Sequence, residues 1–367
     1  MNRGMEVLGA KRLTGIVQTL RDIRETPKQL LFLNRTRRVP AVDSEIMGRY
    51  EGNVIAADII ADDQKAVVRS TGSVTLESVK IPNLKHGELM TQEMMNLLER
   101  INSGGGIPRD DGIISQYKMR TMERLTIGVE HRMEALIVAC AIDSLSYDRL
   151  GLKLSGVGWG MPADLKITIG TAWTTTATAK PIDDILAARY LAQEKYGEMY
   201  DRVTMTSTDF RELIATDEFK AKAQLYSQIS FPAGSFPSQD LGTMKNLVGL
   251  MLGMQVELYD SKYWQEAAAG TVAATSFLPA GKIVLSDSHD DNTGEAIDWA
   301  NGIVTESVVS SMSQTGIIGG FSGPEYGPVG YATAPADLNP PNLTLWSVAR
   351  GFPRKHRLSS TCVLTNP

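Results

Sequence analysis

The chain has 367 residues, 43% hydrophobic and 22% charged, an ordinary globular balance that allows two or three domains and a sizeable core. No stretch approaches the roughly 20 apolar residues of a membrane span, and the first 26 residues lack the apolar segment of a secretory signal, so a soluble, non-exported protein is expected. Net charge is −5, yet residues 1–38 carry Arg3, Lys11, Arg12, Arg21, Arg24, Lys28, Arg35, Arg37 and Arg38 against only Glu6, Asp22 and Glu25. A basic segment on an acidic body suggests an electrostatic partner; a solvated amphipathic helix followed by a loop is the competing reading.

Leu13, Ile16, Val17, Leu20 and Ile23 recur at steps of three and four, which predicts an amphipathic helix over 5–25. Thr26-Pro27 ends it, because the residue before proline is pushed out of the α region. Residues 27–50 read as an irregular, extended arm. Over 53–82 the pattern changes to that of strands, with β-branched runs at 54–60 and 65–69 and a turn cluster Ser70-Thr71-Gly72-Ser73. Residues 65–81 therefore predict a long hairpin with its tip near that cluster. A short helix follows over 91–101, stopped by Ser103-Gly104-Gly105-Gly106.

After Pro108 and a capping Asp110-Asp111, residues 113–147 contain no proline and one glycine. Met122, Leu125, Val129, Met133, Leu136 and Cys140 line one face, with Arg120, Glu123, Glu130 and Glu134 on the other. The pattern predicts roughly 30 residues of helix, about 45 Å long. Strands are expected at 165–170, 202–206, 254–259, 281–286, 343–349 and 361–364. Helices are expected at 180–200 and, capped by Ser207-Thr208-Asp209, at 210–215, with a helix or strand from 245 leading to Met254. Glycine and proline dominate beyond 315. The whole reads as α+β.

Motifs that carry chemistry fail on spacing. Gly156-Val157-Gly158-Trp159-Gly160 lacks the third glycine of a dinucleotide fingerprint, and Ala280-Gly281-Lys282 has Ser276 and Ile283 where a phosphate loop needs glycine and a hydroxyl. Gly320-Phe321-Ser322-Gly323-Pro324 has proline where a nucleophile elbow needs glycine, and Glu130-His131-Arg132-Met133-Glu134 has a single histidine. The acidic stretch 287–295 offers oxygen ligands without calcium-loop spacing, so a solvated turn is the better reading. Cys140 and Cys362 form neither a disulfide framework nor a zinc pattern, and Cys140 lies in an apolar run that predicts burial. A reducing compartment at folding fits this usage. No catalytic, cofactor-binding or metal-binding residue is assigned, and no cofactor is expected.

The order of arm, long hairpin, isolated long helix and mixed sheets resembles the major capsid fold of tailed phages and herpesviruses. More narrowly, the chain resembles the phage major capsid protein E family. The stretches that carry the likeness are Val74-Thr75-Leu76-Glu77-Ser78-Val79-Lys80-Ile81-Pro82-Asn83-Leu84-Lys85 with Leu89-Met90-Thr91, and Tyr200-Asp201-Arg202-Val203-Thr204-Met205 before Asp209. Leu278-Pro279-Ala280-Gly281-Lys282-Ile283-Val284-Leu285 and Phe352-Pro353 complete them. The likeness runs over roughly 30–367; residues 1–26 match nothing in it.

The resemblance implies an N-terminal helix and arm (1–50), an extended loop hairpin with a connecting helix (51–107), and a peripheral domain with a spine helix (108–180). A mainly axial domain (181–320) and C-terminal return strands of the peripheral domain (321–367) would follow. It implies a non-enzymatic subunit that self-assembles through hexamers and pentamers into an icosahedral shell around double-stranded DNA, without sequence-specific binding and without a membrane. Scaffolding, portal and decoration proteins would be partners. The subunit would reside in the virion, and in host cytoplasm during assembly. A nanocompartment shell of the same fold is the alternative, and an uncharacterised hydrolase or carbohydrate-binding protein is a third reading. Within the shell reading, the basic N-terminal segment would dock on a neighbour's acidic surface or an acidic scaffold, or else bind packaged DNA.

Overall fold

The computed structural model describes residues 13–18, 30–41, 44–51, 73–80, 82–90, 93, 96, 111–149, 152–227, 241–266, 272–287, 296–309, 325–333, 343–355 and 357–367. The chain divides into two units that interleave in sequence. One comprises Met1–Glu45, Lys80–Ile137 and Trp299–Pro353, the other Ile46–Val79, Val138–Asp298 and Arg354–Pro367.

The long helix runs over Asp111–Ala141, 31 residues. Its expected apolar seam is buried: Met122, Leu125, Val129, Met133, Leu136 and Cys140 are all at most 9% exposed. Two features differ from the sequence reading. The helix stops at Ala141 rather than near 147, because Asp143 adopts a left-handed backbone (φ 54°), and residues Leu145–Arg149 form a strand paired with Leu152–Val157. Glu130 and Glu134, expected on a polar face, are buried. The carboxylate of Glu134 accepts the backbone N–H of Phe32 at 3.0 Å and of Leu33 at 2.6 Å. Those two amides open the short helix Leu31–Arg35, so a carboxylate distant in sequence turns part of the expected irregular arm into a helix.

In the first unit, Thr344–Lys355 organises a five-stranded sheet in the order Arg37–Pro40, Ile297–Asn301, Thr344–Lys355, Val329–Thr333, with Asn83–Leu89 also paired to Thr344–Lys355. Residues 13–18 are helical, and Leu13 and Val17 are buried with Met90, Met122, Leu125, Leu343 and Leu345. Thr14 Oγ1 donates to the Gly330 carbonyl at 3.0 Å. Over residues 13–18 the apolar side of this predicted helix is thus part of its own unit's core, not a free docking face. The rest of the basic segment to residue 29 lies outside the described residues.

In the second unit, a mixed sheet runs Lys166–Thr168, Thr361–Thr365, Lys282–Ser286, Arg202–Met205, Gln255–Leu258. The end pairs are parallel and the two central pairs antiparallel. The parallel step from Arg202–Met205 to Gln255–Leu258 is bridged by the helices Ser207–Ala215, Asp217–Ser227 and Leu241–Leu252. Thr206, rather than the Ser207-Thr208-Asp209 cluster, caps the first of these, its hydroxyl accepting the Asp209 N–H. Helix Pro181–Tyr196 has proline in its first turn and ends at Gly197 in a left-handed conformation. Ile182, Ile185 and Ala188 from it join Val203, Met205, Phe210, Val248, Ile283 and Leu285 in one core.

Strand Ser73–Lys80 pairs with Ser44–Glu51. The hairpin was expected to close locally on residues 65–69, which lie outside the described residues; the described partner comes from the arm. Only 93 and 96 of the expected helix 91–101 are described, both helical.

Candidate functional site

Each chemical motif tested in the sequence has a structural occupation where it is described. Gly158 lies so close to Asp143 that a Cβ there would stand 2.8 Å from a carboxylate oxygen. Asp143 in turn accepts the N–H of Trp159 at 2.6 Å and of Met161 at 3.2 Å, so the glycine run wraps a carboxylate rather than a phosphate. Gly281, at φ 74°, donates its N–H to the Asp209 carboxylate at 3.1 Å, and Lys282 Nζ donates to Thr365 Oγ1 at 2.8 Å. A negative charge already sits where a phosphate would need to, which removes the phosphate-loop reading. Residues 320–324 and 288–295 lie outside the described residues. Among the described residues no cluster of His, Cys, Asp and Glu could hold a metal ion, and no helix is long and apolar enough to cross a membrane.

The cysteines are equally inert. Both are buried, and burial pushes each thiol up to about 12, so neither supplies a thiolate at neutral pH.

A buried polar group surrounds Asp143 at the end of the long helix. Lys166 Nζ lies 2.6 Å from its carboxylate, and Lys355 Nζ lies 3.9 Å away with its side chain 1% exposed. At that distance Lys355 is attracted by the carboxylate without a hydrogen bond to it. Burial holds its amine below the ordinary lysine value. Glu198, also buried, accepts Arg357 Nη1 at 3.2 Å and Ser359 Oγ at 2.7 Å, while Tyr200 Oη donates to the Ser359 carbonyl at 2.6 Å. These contacts fasten the C-terminal segment 354–367 into the second unit. Their carboxylates are buried, at 1% side-chain exposure for Asp143 and 3% for Glu198, and are taken up by these partners.

What remains open is surface. In the second unit Leu225 is 83% exposed, Leu250 74% and Trp264 72%, joined by Val272, Tyr190 and Met199. In the first unit Leu89, Met119 and Tyr326 are exposed. Large apolar side chains left in water mark contact surfaces more readily than catalytic ones. Trp264 and Val272 lie on a ribbon, Lys262–Glu266 with Val272–Ser276, that is not among the strands expected from the sequence. The available signal was a pair of short β-prone runs flanking Ala267-Ala268-Ala269-Gly270-Thr271.

The family described as phage major capsid protein E matches residues 9–295. No curated protein matches the chain. A protein assigned as the capsid protein of a prophage of E. coli CFT073 superposes with a TM-score of 0.58 at 16% identity, covering 98% of this chain and 99% of that one. A phage-related protein from Bordetella bronchiseptica RB50 gives 0.56 at 9% identity, covering 98% and 97%. At these identities the two structures speak to fold alone, and the fold they share with this chain is the one that the residue order resembles. A virus-like particle protein from Pyrococcus furiosus, at a TM-score of 0.44 and 10% identity over 96% of this chain and 98% of its own, is too loose a likeness to argue from.

Proposed function

This chain belongs to the phage major capsid protein E family, and from that premise we propose that it is the subunit that self-assembles into the icosahedral head shell around viral double-stranded DNA. The observation that carries the reading is the family match over residues 9–295. The physical features fit a structural role. The buried carboxylates of Glu134, Asp143, Glu198 and Asp209 are taken up by backbone amides, hydroxyls and cationic side chains, and the thiols are held neutral. The open features are apolar side chains spread over the two units.

In this reading the paired strands Ser44–Glu51 and Ser73–Lys80 are the base of the extended loop, Asp111–Ala141 is the spine, and residues 181–320 contribute mainly to the axial domain. Copies meet in hexamers and pentamers, and scaffolding and portal proteins guide closure. A net charge of −5 keeps the wall from gripping the phosphates of packaged DNA, which a basic wall would bind with strong salt dependence. The subunit is a component of the virion and assembles in host cytoplasm. No catalytic step is required of it.

The test is negative-stain microscopy of the purified full-length chain. Closed shells of uniform size support the proposal. A monomer that stays monomeric at high concentration and turns over a substrate refutes it. Particles purified from a phage-producing host should contain nuclease-resistant double-stranded DNA; a protein cargo in its place would favour the nanocompartment alternative.

A further inference from the structure

The ribbon formed by Lys262–Glu266 and Val272–Ser276 is a two-stranded sheet with no third strand among the described residues. A ribbon of this kind has little stability of its own and needs one face anchored. The anchor is aromatic: Tyr263 stacks on Phe277 at 4.8 Å between ring centroids, and Phe277 stacks on Tyr259 at 6.0 Å. Side chains alternate across a strand, so Trp264 lies on the face opposite Tyr263. The register sets Trp264 across from Ala274, and Val272 falls two positions from Ala274 on that same face. This second face is bare. Trp264 is 72% and Val272 62% exposed, and every residue of Val272–Ser276 is exposed.

The strand edge is bare too, and unguarded. Natural edge strands are protected by lysine, proline or inward charge, yet Val272-Ala273-Ala274-Thr275-Ser276 has none of these. Lys262 shares the Trp264 face, but the edge itself is uncharged, and an uncharged edge beside an indole suits another polypeptide strand better than a phosphate backbone. The patch is also small. An indole with a valine and an alanine amounts to a few hundred Å², on the order of one large aromatic side chain and its surroundings, against roughly 1,000 Å² for an interface that persists alone. A contact of this size holds only when the same two surfaces meet repeatedly and close on themselves, as between identical copies. From these observations, and resting on the shell reading above, we infer that the Trp264 face and the free edge of Val272–Ser276 dock against a second copy of this chain.

The chain provides its own reporter. Of its five tryptophans, Trp159, Trp173 and Trp299 are buried and Trp346 is partly buried, so Trp264 is the solvent-facing one. Acrylamide quenching of full-length protein, free and assembled, should show a readily quenched component in free subunits that disappears in shells. Trp264→Phe should remove that component from free subunits. Trp264→Lys should fold as the wild type does by circular dichroism and thermal melting, yet fail to close shells. Shells in which Trp264 quenches as in the free subunit overturn the inference, as does a Trp264→Lys protein assembling in wild-type yield. Protection gained by unassembled subunits on adding duplex DNA also overturns it. Wild-type protein that forms no shells overturns this inference and the proposed function together; shells with a bare Trp264 overturn this inference alone.

Discussion

Two five-residue strands lie close together in the sequence and meet opposite fates. Val272–Ser276 has one neighbouring strand among the described residues and is exposed at every position. Lys282–Ser286 has two neighbours, Arg202–Met205 and Thr361–Thr365, and buries Ile283, Val284 and Leu285 completely. Both segments carry the small or β-branched residues that suit a pleated strand. Partners, not local preference, decide which becomes core and which stays available. The comparison assigns folding to one strand and assembly to the other, and substitutions can separate the two.

The largest effect should come from the buried strand. Leu285→Asp places an unpaired charge in the core, at a cost of several kcal/mol, and should leave no cooperative urea transition. Next is the N-terminal helix. Leu13 is fully buried, so Leu13→Ala should cost about 2–5 kcal/mol in urea unfolding of the isolated subunit. An unchanged midpoint would mean that residues 13–18 act in assembly, as the sequence first suggested, and not in the fold.

A smaller, pH-dependent effect belongs to Lys355. Its amine is held below the ordinary value by burial, with the Asp143 carboxylate opposing that shift and the Lys166 ammonium adding to it. The unfolded chain therefore binds this proton more readily than the folded one. The stability linked to it is complete above the unfolded value of about 10.4, and is lost as pH falls toward the lowered folded value. Lys355→Met should remove this dependence. The stability difference between variant and wild type, measured by urea midpoints, should favour the variant near neutrality and shrink as pH rises toward about 10. A constant difference across that range would mean that folding leaves the Lys355 amine at its ordinary value. The smallest effect on stability is expected at the bare ribbon. Trp264→Ser should change the unfolding free energy by no more than about 0.5 kcal/mol.

Local pattern made much of this architecture legible. The seam from Met122 to Cys140 announced the long helix, and the runs at 202–206, 281–286 and 361–364 announced three adjacent strands of one sheet. What failed was set by partners distant in sequence. Nothing near Phe32 says that Glu134 will cap it, and a glutamate between apolar helical positions looks like a solvated face until a second segment brings it two amides. The stop at Ala141 depends on Asp143 finding the amides of Trp159 and Met161. The strand at Val329–Thr333 was hidden among glycines and prolines, because its partner Thr344–Lys355, not its own composition, defines it. The location of the candidate surface was not legible, because exposure of Trp264 is a property of the folded chain.

Hydrogen exchange, read at these two strands in free subunits and in assembled shells, tests the account most directly. Amides of Lys282–Ser286 should be protected in both states, and those of Val272–Ser276 should exchange fast in the free subunit and become protected in the shell. Equal, fast exchange of Val272–Ser276 in both states would contradict the division of labour between the two strands.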